Sequence, residues 1–284
     1  LTGFDQIKKK LNFNLTKDQI NSINEINNDL KSDQKMFRLL QGDVGSGKTI
    51  VALIACMNVI SSNFQVSMMA PTEILANQHY KLAKKLIGEN VNLKLLTGKT
   101  EFKQRKKIIE GLNNSEIKML IGTHSLFQDK INYKKLGLVI IDEQHKFGVK
   151  QRKALSDKGG KYCDVLVMSA TPIPRTMIMT IFGDMDVSII KEKPKNRKDI
   201  KTYSKLESKT GEVIKYCKNE ISNGNQIFWV CPLIEKSKKL DHQSAVEKHK
   251  FLKKYFKNKV GLVHGAMNND EKDNVLNNFL NRKI

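Results

Sequence analysis

Two short stretches of this sequence combine residue types that suit phosphate and divalent-cation chemistry. Residues 42–49 read GDVGSGKT, and residues 142–145 read DEQH directly after an apolar run. The adjacent carboxylates of Asp142 and Glu143 repel each other, so placing them side by side costs free energy unless a cation or a reaction uses both charges. The first question is therefore whether the glycine-rich stretch explains the acidic pair.

The glycine-rich stretch matches the pattern G-x-x-x-x-G-K-[ST] without a mismatch. It lies between a predicted strand and a predicted helix, which is the context that the pattern requires. Its glycines let backbone N–H groups approach phosphate oxygens, and the start of the helix adds partial positive charge. We expect its lysine to reach the β- and γ-phosphates of a nucleotide and its threonine hydroxyl to bind Mg²⁺. The predicted nucleotide-binding residues are Gly42, Gly45, Ser46, Gly47, Lys48 and Thr49.

The phosphate loop supplies a role for the acidic pair. In a phosphate-loop fold, an acid at the end of a neighbouring strand meets Mg²⁺ beside the nucleotide. We expect Asp142 to bind the metal through water and Glu143 to polarise the water that attacks the γ-phosphate. The alternative is that both are solvated acids at a strand end, and the matching phosphate loop weakens that interpretation.

Short apolar runs alternate with amphipathic helical patterns between residues 36 and 190. This alternation predicts an α/β fold, a parallel sheet with helices on both faces whose ligands bind at the carboxyl ends of the strands. The predicted strands are residues 37–41, 65–70, 91–96, 117–122, 136–141 and 164–170. The predicted helices between them are residues 48–60, 73–88 and 101–112.

A charged stretch, KEKPKNRKD, interrupts the alternation, and we interpret residues 191–200 as a linker. The predicted domains are therefore residues 1–190 and 201–284. Beyond the linker, two strands are predicted at 226–231 and 260–264, and helices around 208–223, 241–257 and 270–280. Two parallel strands are too few for a complete doubly wound domain and would leave an edge unpaired. We therefore expect the second domain to be truncated and the chain to be a fragment.

The composition favours an anionic partner and gives no sign of a membrane. The 284 residues carry a formal net charge of +21, which suits DNA or RNA. Most of the cations are lysine, however, and asparagine is also abundant, so an AT-rich genome is an equal explanation. The sequence has no run of about 18 apolar residues that would predict a membrane span. Four scattered cysteines indicate reduced thiols and a cytoplasmic location.

The acidic stretch DEQH resembles the D-E-x-H box of superfamily 2 helicases and translocases. Other stretches are similar to motifs of the same family and follow in the expected order. They are FNLTKDQ (13–19), APTEILANQHY (70–80), LTGK (96–99), IGTHSLFQ (121–128) and MSATPIPRT (168–176), and further on VCPLIEKS (230–237) and GLVHGAM (261–267). The resemblance implies RecA-like domains of the P-loop NTPase class, the second of them incomplete.

The resemblance also implies roles for individual residues. Gln19 would contact the adenine base, while Gln144 and His145 would link hydrolysis to domain closure. Ser169 and Thr171 would couple the nucleotide state to DNA contact. The residues that would hold the DNA backbone are Pro71, Thr72, Thr97, Gly98, Thr123, His124 and Arg175. Hydroxyls and loop N–H groups suit phosphate contacts that do not depend on base sequence.

The residue sequences of several of these motifs resemble those of bacterial ATP-dependent DNA helicases that remodel branched DNA. This implies a monomeric, DNA-dependent ATPase that uses ATP and Mg²⁺ and acts on stalled forks and Holliday junctions. The isolated chain is expected to bind ATP and hydrolyse it negligibly, because an arginine of the second domain typically contributes about 10³–10⁵ in rate. The alternatives are an RNA helicase or repair translocase of superfamily 2, a small-molecule kinase, and a non-catalytic nucleic-acid-binding piece.

Overall fold

A computed structural model describes residues 2–88, 91–127, 130–143, 160, 163–171, 185–192, 200–231 and 238–284. The chain divides into two compact units, Leu1–Lys198 and Asp199–Ile284. Each unit is described by itself. The predicted domain boundaries and the assignment of residues 201–284 to a second RecA-like domain stay predictions.

The first unit is built on a seven-stranded sheet in which every pair of neighbouring strands is parallel. The strand order is β3-β4-β2-β5-β6-β1-β7. The strands are β1 (Phe37–Gly42), β2 (Gln65–Met69), β3 (Leu93–Leu96), β4 (Met119–Gly122), β5 (Leu136–Asp142), β6 (Asp164–Ser169) and β7 (Asp186–Ile190). The helices of this unit are α1 (Thr2–Lys8), α2 (Lys17–Asp29), α3 (Lys48–Ser61), α4 (Glu73–Ile87) and α5 (Phe102–Asn113).

The sheet is covered on both faces, and this explains its nearly continuous apolar strands. Successive strand side chains point to opposite faces, so Ile140 and Ile141 of β5 belong to two different core clusters. One cluster includes buried side chains of α1 to α4, and the other includes Ile108 and Leu112 of α5. All seven residues of β5 are buried. A parallel sheet between helical layers is therefore confirmed as the fold class.

The predicted strands and the three predicted helices match observed elements to within a few residues, but α1, α2 and β7 were not predicted. The strand β7 lies at an edge of the sheet. Its Ser188 and Ile190 are buried and its Val187 is half-buried, but Asp186 and Ile189 are exposed. A five-residue strand of this kind has too little apolar character to stand out in the sequence.

The second unit contains α6 (Thr210–Ser222), α7 (Lys238–Phe256) and α8 (Asn269–Leu280), close to the three predicted helices. The two predicted strands in this unit are wrong. Residues 226–231 and 260–264 carry no strand assignment, because neither forms a ladder of hydrogen bonds with another described segment. Apolar side chains alone do not make a strand without a neighbour to pair with. Phe228 and Val230 are accordingly exposed.

No helix in the described ranges combines the length and the apolar character that a bilayer crossing needs.

Candidate active site

The phosphate loop and the acidic pair lie at the same edge of the sheet. Leu40 of β1 and Asp142 of β5 are both level with Met168 of β6, the strand that lies between them. Two strand spacings of about 4.8 Å separate β1 from β5, so the two loops begin about 10 Å apart. A cation and a triphosphate chain can span such a gap.

The backbone of the phosphate loop follows the path that its glycines permit. Gly45 and Gly47 have φ angles of 77° and 90°, which side chains disfavour. Gly47 is the residue immediately before α3. A Cβ atom at Gly47 would lie 2.3 Å from Nε2 of Gln19, so the side chain of Gln19 occupies the space that glycine leaves open.

Gln19 is held in place by the start of its own helix. Thr16 and Gln19 form a capping box: Thr16 N donates to Gln19 Oε1 at 2.9 Å, and Gln19 N donates to Thr16 Oγ1 at 3.3 Å. The remaining amide group, Nε2, donates to the carbonyl oxygen of Ser46 at 2.7 Å. With 2% of its surface exposed, Gln19 joins the predicted adenine-side segment to the phosphate loop.

Lys48 lies at the bottom of the loop and contacts the loop backbone. Its Nζ donates to the carbonyl oxygens of Gly42 at 2.5 Å and Asp43 at 3.1 Å. Burial lowers the pKa of the Lys48 ammonium below its usual value, while the carboxylates of Glu143, Asp142 and Asp43 act in the opposite direction. The lysine and the acidic pair therefore share one electrostatic environment.

Asp142 and Glu143 differ in their hydrogen bonds and in their backbone conformation. Asp142 is buried and ends β5, and its Oδ1 accepts a hydrogen bond from the Glu143 backbone N–H at 3.1 Å. Its Oδ2 lies 2.7 Å from Nε2 of His79 on α4. Glu143 has a φ angle of 51°, a left-handed conformation that costs a non-glycine residue roughly 1–2 kcal/mol. The chain thus turns sharply between the two carboxylates.

The predicted coupling residues lie at the end of β6, the strand between β1 and β5, and just after it. Ser169 ends β6 and is level with Gln41 of β1. Its Oγ accepts a hydrogen bond from Thr171 N at 3.2 Å and lies 3.0 Å from Thr171 Oγ1. These hydrogen bonds stabilise a local turn of the backbone at the end of β6, the strand next to β1.

The predicted DNA-contacting residues cluster at the other half of the same edge, after β2, β3 and β4. Thr72 precedes α4, and its Oγ1 accepts a hydrogen bond from Leu75 N at 3.2 Å. Gly98, Thr123 and His124 line a polar pocket of about 470 Å³. Thr97 is buried, and its Oγ1 accepts a hydrogen bond from Lys99 N at 3.3 Å. Pro71, next to Thr72, is half-buried.

Three predicted residues lie outside the described part of the chain. They are Gln144, His145 and Arg175. Their roles stay predictions.

The structure adds residues that the sequence did not single out. Glu73, Arg105 and Ser125 line the polar pocket together with the predicted DNA-contacting residues. Asp18 Oδ2 accepts hydrogen bonds from the backbone N–H groups of Lys191 and Glu192, both at 2.8 Å, and so joins α2 to the end of β7. His79 could have been noticed as a polar residue in the apolar stripe of α4, although no sequence pattern names its partner.

The architecture and the phosphate loop agree with the results of comparison with known proteins. The family model described as DEAD/DEAH box helicase matches residues 16–180, more than half of the chain. The chain therefore belongs to the DEAD/DEAH box helicase family, whose members use a nucleotide.

Within this class, the chain is similar to one helicase in particular. It is 49% identical over 274 residues to the ATP-dependent DNA helicase RecG of Aquifex aeolicus, covering 95% of this chain and 35% of that protein. The RecG of Staphylococcus aureus is 46% identical over 287 residues, which cover 99% of this chain and 42% of that protein. The chain thus spans well under half the length of these relatives, and the similarity to RecG confirms the resemblance seen in the motifs.

A solved structure supports the same relationship. The structure of RecG bound to a three-way DNA junction matches with a TM-score of 0.79 and 42% sequence identity. The match covers 97% of this chain and 36% of that chain.

Proposed function

We propose that this chain is part of the motor of an ATP-dependent DNA helicase that remodels branched DNA, including stalled forks and Holliday junctions. The observation that supports the proposal most is the shared edge of the sheet, where Lys48 lies in the field of Asp142 and Glu143. A phosphate loop without a facing acid would bind a nucleotide without a means to hydrolyse it. The similarity to RecG supports DNA as the nucleic acid.

Two observations support a bound nucleotide. The hydroxyl of Ser46 is buried and has no hydrogen-bond partner among the described residues. A buried hydroxyl without a partner costs free energy, and a phosphate oxygen is a suitable acceptor. Gln19 is held against the loop by its bond to Ser46, and its proposed role is to contact the adenine base.

Mg²⁺ fits the residues present. No cluster of three or more metal-binding side chains occurs in the described ranges. Mg²⁺ commonly uses one or two carboxylates together with substrate phosphates and waters instead of an all-protein cage. The Thr49 hydroxyl would be a ligand, Asp142 would hold the cation through water, and the bound cation would neutralise charge that develops on the phosphates.

The chain's own residues then have distinct tasks in hydrolysis. Lys48 binds the β- and γ-phosphates and stabilises their charge in the transition state. Glu143 accepts a hydrogen bond from the attacking water and directs it in line with the bond from the γ-phosphorus to the β–γ bridging oxygen. That bond breaks as the new P–O bond forms, a proton of the water passes to the Glu143 carboxylate and from it to solvent, and the products are ADP and inorganic phosphate.

The pocket after β3 and β4 is the proposed DNA side of this motor. Loop hydroxyls and N–H groups at Thr72, Thr97 and Thr123 would contact phosphates, and such contacts position a protein without reading bases. The affinity for DNA should therefore fall steeply as the salt concentration rises. We propose that the protein acts as a monomer in the cytoplasm, where its DNA is found.

Two substitutions test the nucleotide site. Lys48→Ala removes the phosphate contact, so the chain should lose binding of a fluorescent ATP analogue in the presence of Mg²⁺. Glu143→Gln keeps the shape of the side chain and should bind the analogue as the wild type does. In the full-length protein, Glu143→Gln should lower ATP hydrolysis about 10²–10⁴-fold. Equal binding by both variants would contradict the assigned roles.

The nucleic acid is tested separately. Forked DNA should stimulate ATP hydrolysis by the full-length protein far more than RNA of the same length and branching. Stronger stimulation by RNA would overturn the DNA assignment while leaving the nucleotide site intact.

A further inference from the structure

A buried hydrogen bond joins the two halves of the site. His79 Nε2 and Asp142 Oδ2 lie 2.7 Å apart, and each residue is only 7% exposed. They are separated by 63 positions in the chain. The contact therefore joins the end of β5 to a helix whose main contacts with the sheet are to β3 and β4.

His79 occupies an unusual place on its helix. Ala76, Ala83 and Leu86 form the buried apolar stripe of α4, and His79 falls in the same stripe at a spacing of three or four residues. A buried imidazole is costly unless it is hydrogen-bonded. Asp142 provides the described hydrogen-bond partner of its Nε2 atom.

The hydrogen bond from His79 also restrains the orientation of the Asp142 carboxylate. An ionised carboxylate only accepts hydrogen bonds, so the His79 Nε2–H donates to Oδ2 while the Glu143 N–H donates to Oδ1. Each oxygen keeps a further lone pair, because a carboxylate has about four acceptor sites. Both bonds restrict rotation of the carboxylate and leave room for the waters of a cation.

The same helix reaches the proposed DNA side. Thr72 precedes α4, and Glu73, its first residue, lines the polar pocket with Gly98 and Thr123. Seven residues of α-helix span about 10 Å from Thr72 to His79. A displacement of α4 at the pocket therefore moves the imidazole that holds Asp142.

We propose that His79 is a positioning residue: it holds Asp142 for Mg²⁺ and links that acid to the helix that begins at the nucleic-acid pocket. The inference rests on the proposed function, because it requires a nucleotide and a cation at this site. Hydrogen-bond partners of metal ligands typically contribute 10–100-fold in metal affinity.

The test is a Mg²⁺ titration of fluorescent ATP analogue binding to the 284-residue chain. His79→Leu should raise the Mg²⁺ concentration for half-maximal binding about 10–100-fold, while binding of the analogue without Mg²⁺ stays unchanged. His79→Gln places an amide N–H near the Nε2 position and should restore most of the Mg²⁺ affinity. Lys81→Gln, on the exposed side of the same helix, should behave as the wild type.

The outcomes separate the two proposals. If the wild type fails to bind the analogue with Mg²⁺, the proposed function fails and this inference with it. If the wild type binds and folded His79→Leu has the wild-type Mg²⁺ requirement, only the role of His79 is overturned. If His79→Leu does not fold, judged by circular dichroism, His79→Gln is compared with His79→Asn, whose shorter amide does not reach Asp142. Equal Mg²⁺ requirements of these two variants would also overturn the role.

A second measurement tests the link to nucleic acid. The ratio of forked-DNA affinities with and without the Mg²⁺-bound analogue measures the coupling between the two sites. In the wild type this ratio should differ from one, and in His79→Gln it should stay close to the wild-type value. In His79→Leu it should move toward one at saturating Mg²⁺. An unchanged ratio in His79→Leu would overturn the link.

Discussion

The two halves of the carboxyl edge of the sheet are built in different ways. Around β5, β6 and β1, polar side chains are buried and bonded to one another or to the backbone, as at Gln19, Lys48 and Asp142. Around β3, β4 and β2, an open polar pocket is bordered by exposed side chains, including Phe102, which is 85% exposed. The first half is a set of buried contacts, whereas the second combines buried residues such as Thr97 and Thr123 with an accessible pocket.

This difference corresponds to what each half would bind. A triphosphate with its cation needs donors at definite positions, and a buried set of hydrogen bonds supplies them before the ligand arrives. A DNA backbone presents similar phosphates at regular spacing, so many modest contacts suffice. Substitutions in the first half should therefore have large, all-or-none effects, and those in the second should have smaller, graded ones.

The largest effect is expected at Gly47. Gly47→Ala would place a Cβ atom 2.3 Å from Nε2 of Gln19, at a φ angle of 90°. The phosphate loop must then shift away from its phosphate-binding path, and we expect binding of a fluorescent ATP analogue to fall at least about 100-fold, the effect of misplacing a site by about 1 Å. DNA affinity measured without nucleotide should be unchanged.

Two controls sharpen this result. Gly211→Ala adds a methyl group where no atom lies within 4 Å, so it should leave nucleotide binding intact. The double substitution Gln19→Ala with Gly47→Ala removes the clash but not the backbone strain, so it should bind the analogue much more weakly than Gln19→Ala alone. Equal binding by these two variants would show that the clash with Gln19 alone, and not the left-handed backbone, requires glycine here.

An intermediate effect is expected at Thr72. Thr72→Ala removes a hydroxyl that caps α4 and is proposed to contact a DNA phosphate. Loss of a hydrogen bond to a charged group costs about 1.5 kcal/mol or more, so affinity for forked DNA should fall about tenfold or more. Loss of the cap should lower the free energy of unfolding by about 1 kcal/mol.

The matched variant at this position is Thr72→Ser, which keeps the hydroxyl and should retain both DNA affinity and stability. Nucleotide binding in the absence of DNA should be similar in all three proteins. A hundredfold loss of ATP binding in Thr72→Ala would contradict the division between the two halves.

The smallest expected effect is an increase in the free energy of unfolding when Lys48 is replaced by methionine. Because burial lowers the pKa of Lys48, the folded state disfavours its charged form, and this cost is fully present below the lowered pKa. The cost disappears as the pH rises through the lowered value toward 10.5, the usual lysine pKa. Lys48→Met should therefore raise the free energy of unfolding at pH 7 by about 1 kcal/mol and by less near pH 10.

Denaturant unfolding of the wild type and Lys48→Met without nucleotide, at both pH values, measures this difference. The expected combination is a chain that is slightly more stable and no longer binds ATP. A loss of stability at pH 7 would mean that the bonds from Lys48 to the carbonyls of Gly42 and Asp43 outweigh the cost of burying its charge.

Much of the fold was predictable because the signals are local. The β5 strand is apolar at nearly every position since both of its faces are covered, and such a run is typical of a central parallel strand. The edge strand β7 lacks that signature, and residues 226–231 and 260–264 have apolar strand-like sequences without a described pairing partner. Pairing is a property of two segments, so one segment's sequence does not reveal it.

In the nucleotide site, too, single segments were predictable from the sequence but contacts between distant segments were not. The phosphate loop and the pair Asp142 and Glu143 were found from residue type and spacing, because phosphate and metal chemistry demand those groups at those intervals. The capping box of Thr16 and Gln19 was not predicted, although its residues follow the pattern T-x-x-Q. The hydrogen bond from the Gln19 amide to the carbonyl oxygen of Ser46 could not be predicted from the sequence.

The class of fold was therefore readable from the alternation of apolar runs and helical patterns over residues 36–190. The phosphate loop and the acidic pair were readable because each is encoded within a few consecutive residues. The three-dimensional arrangement was needed to show that β6 lies between β1 and β5, that Gln19 occupies the space beside Gly47, and that His79 contacts Asp142. These contacts join segments far apart in the chain. They depend on strand order and helix packing, which arise from the whole core and not from any local pattern.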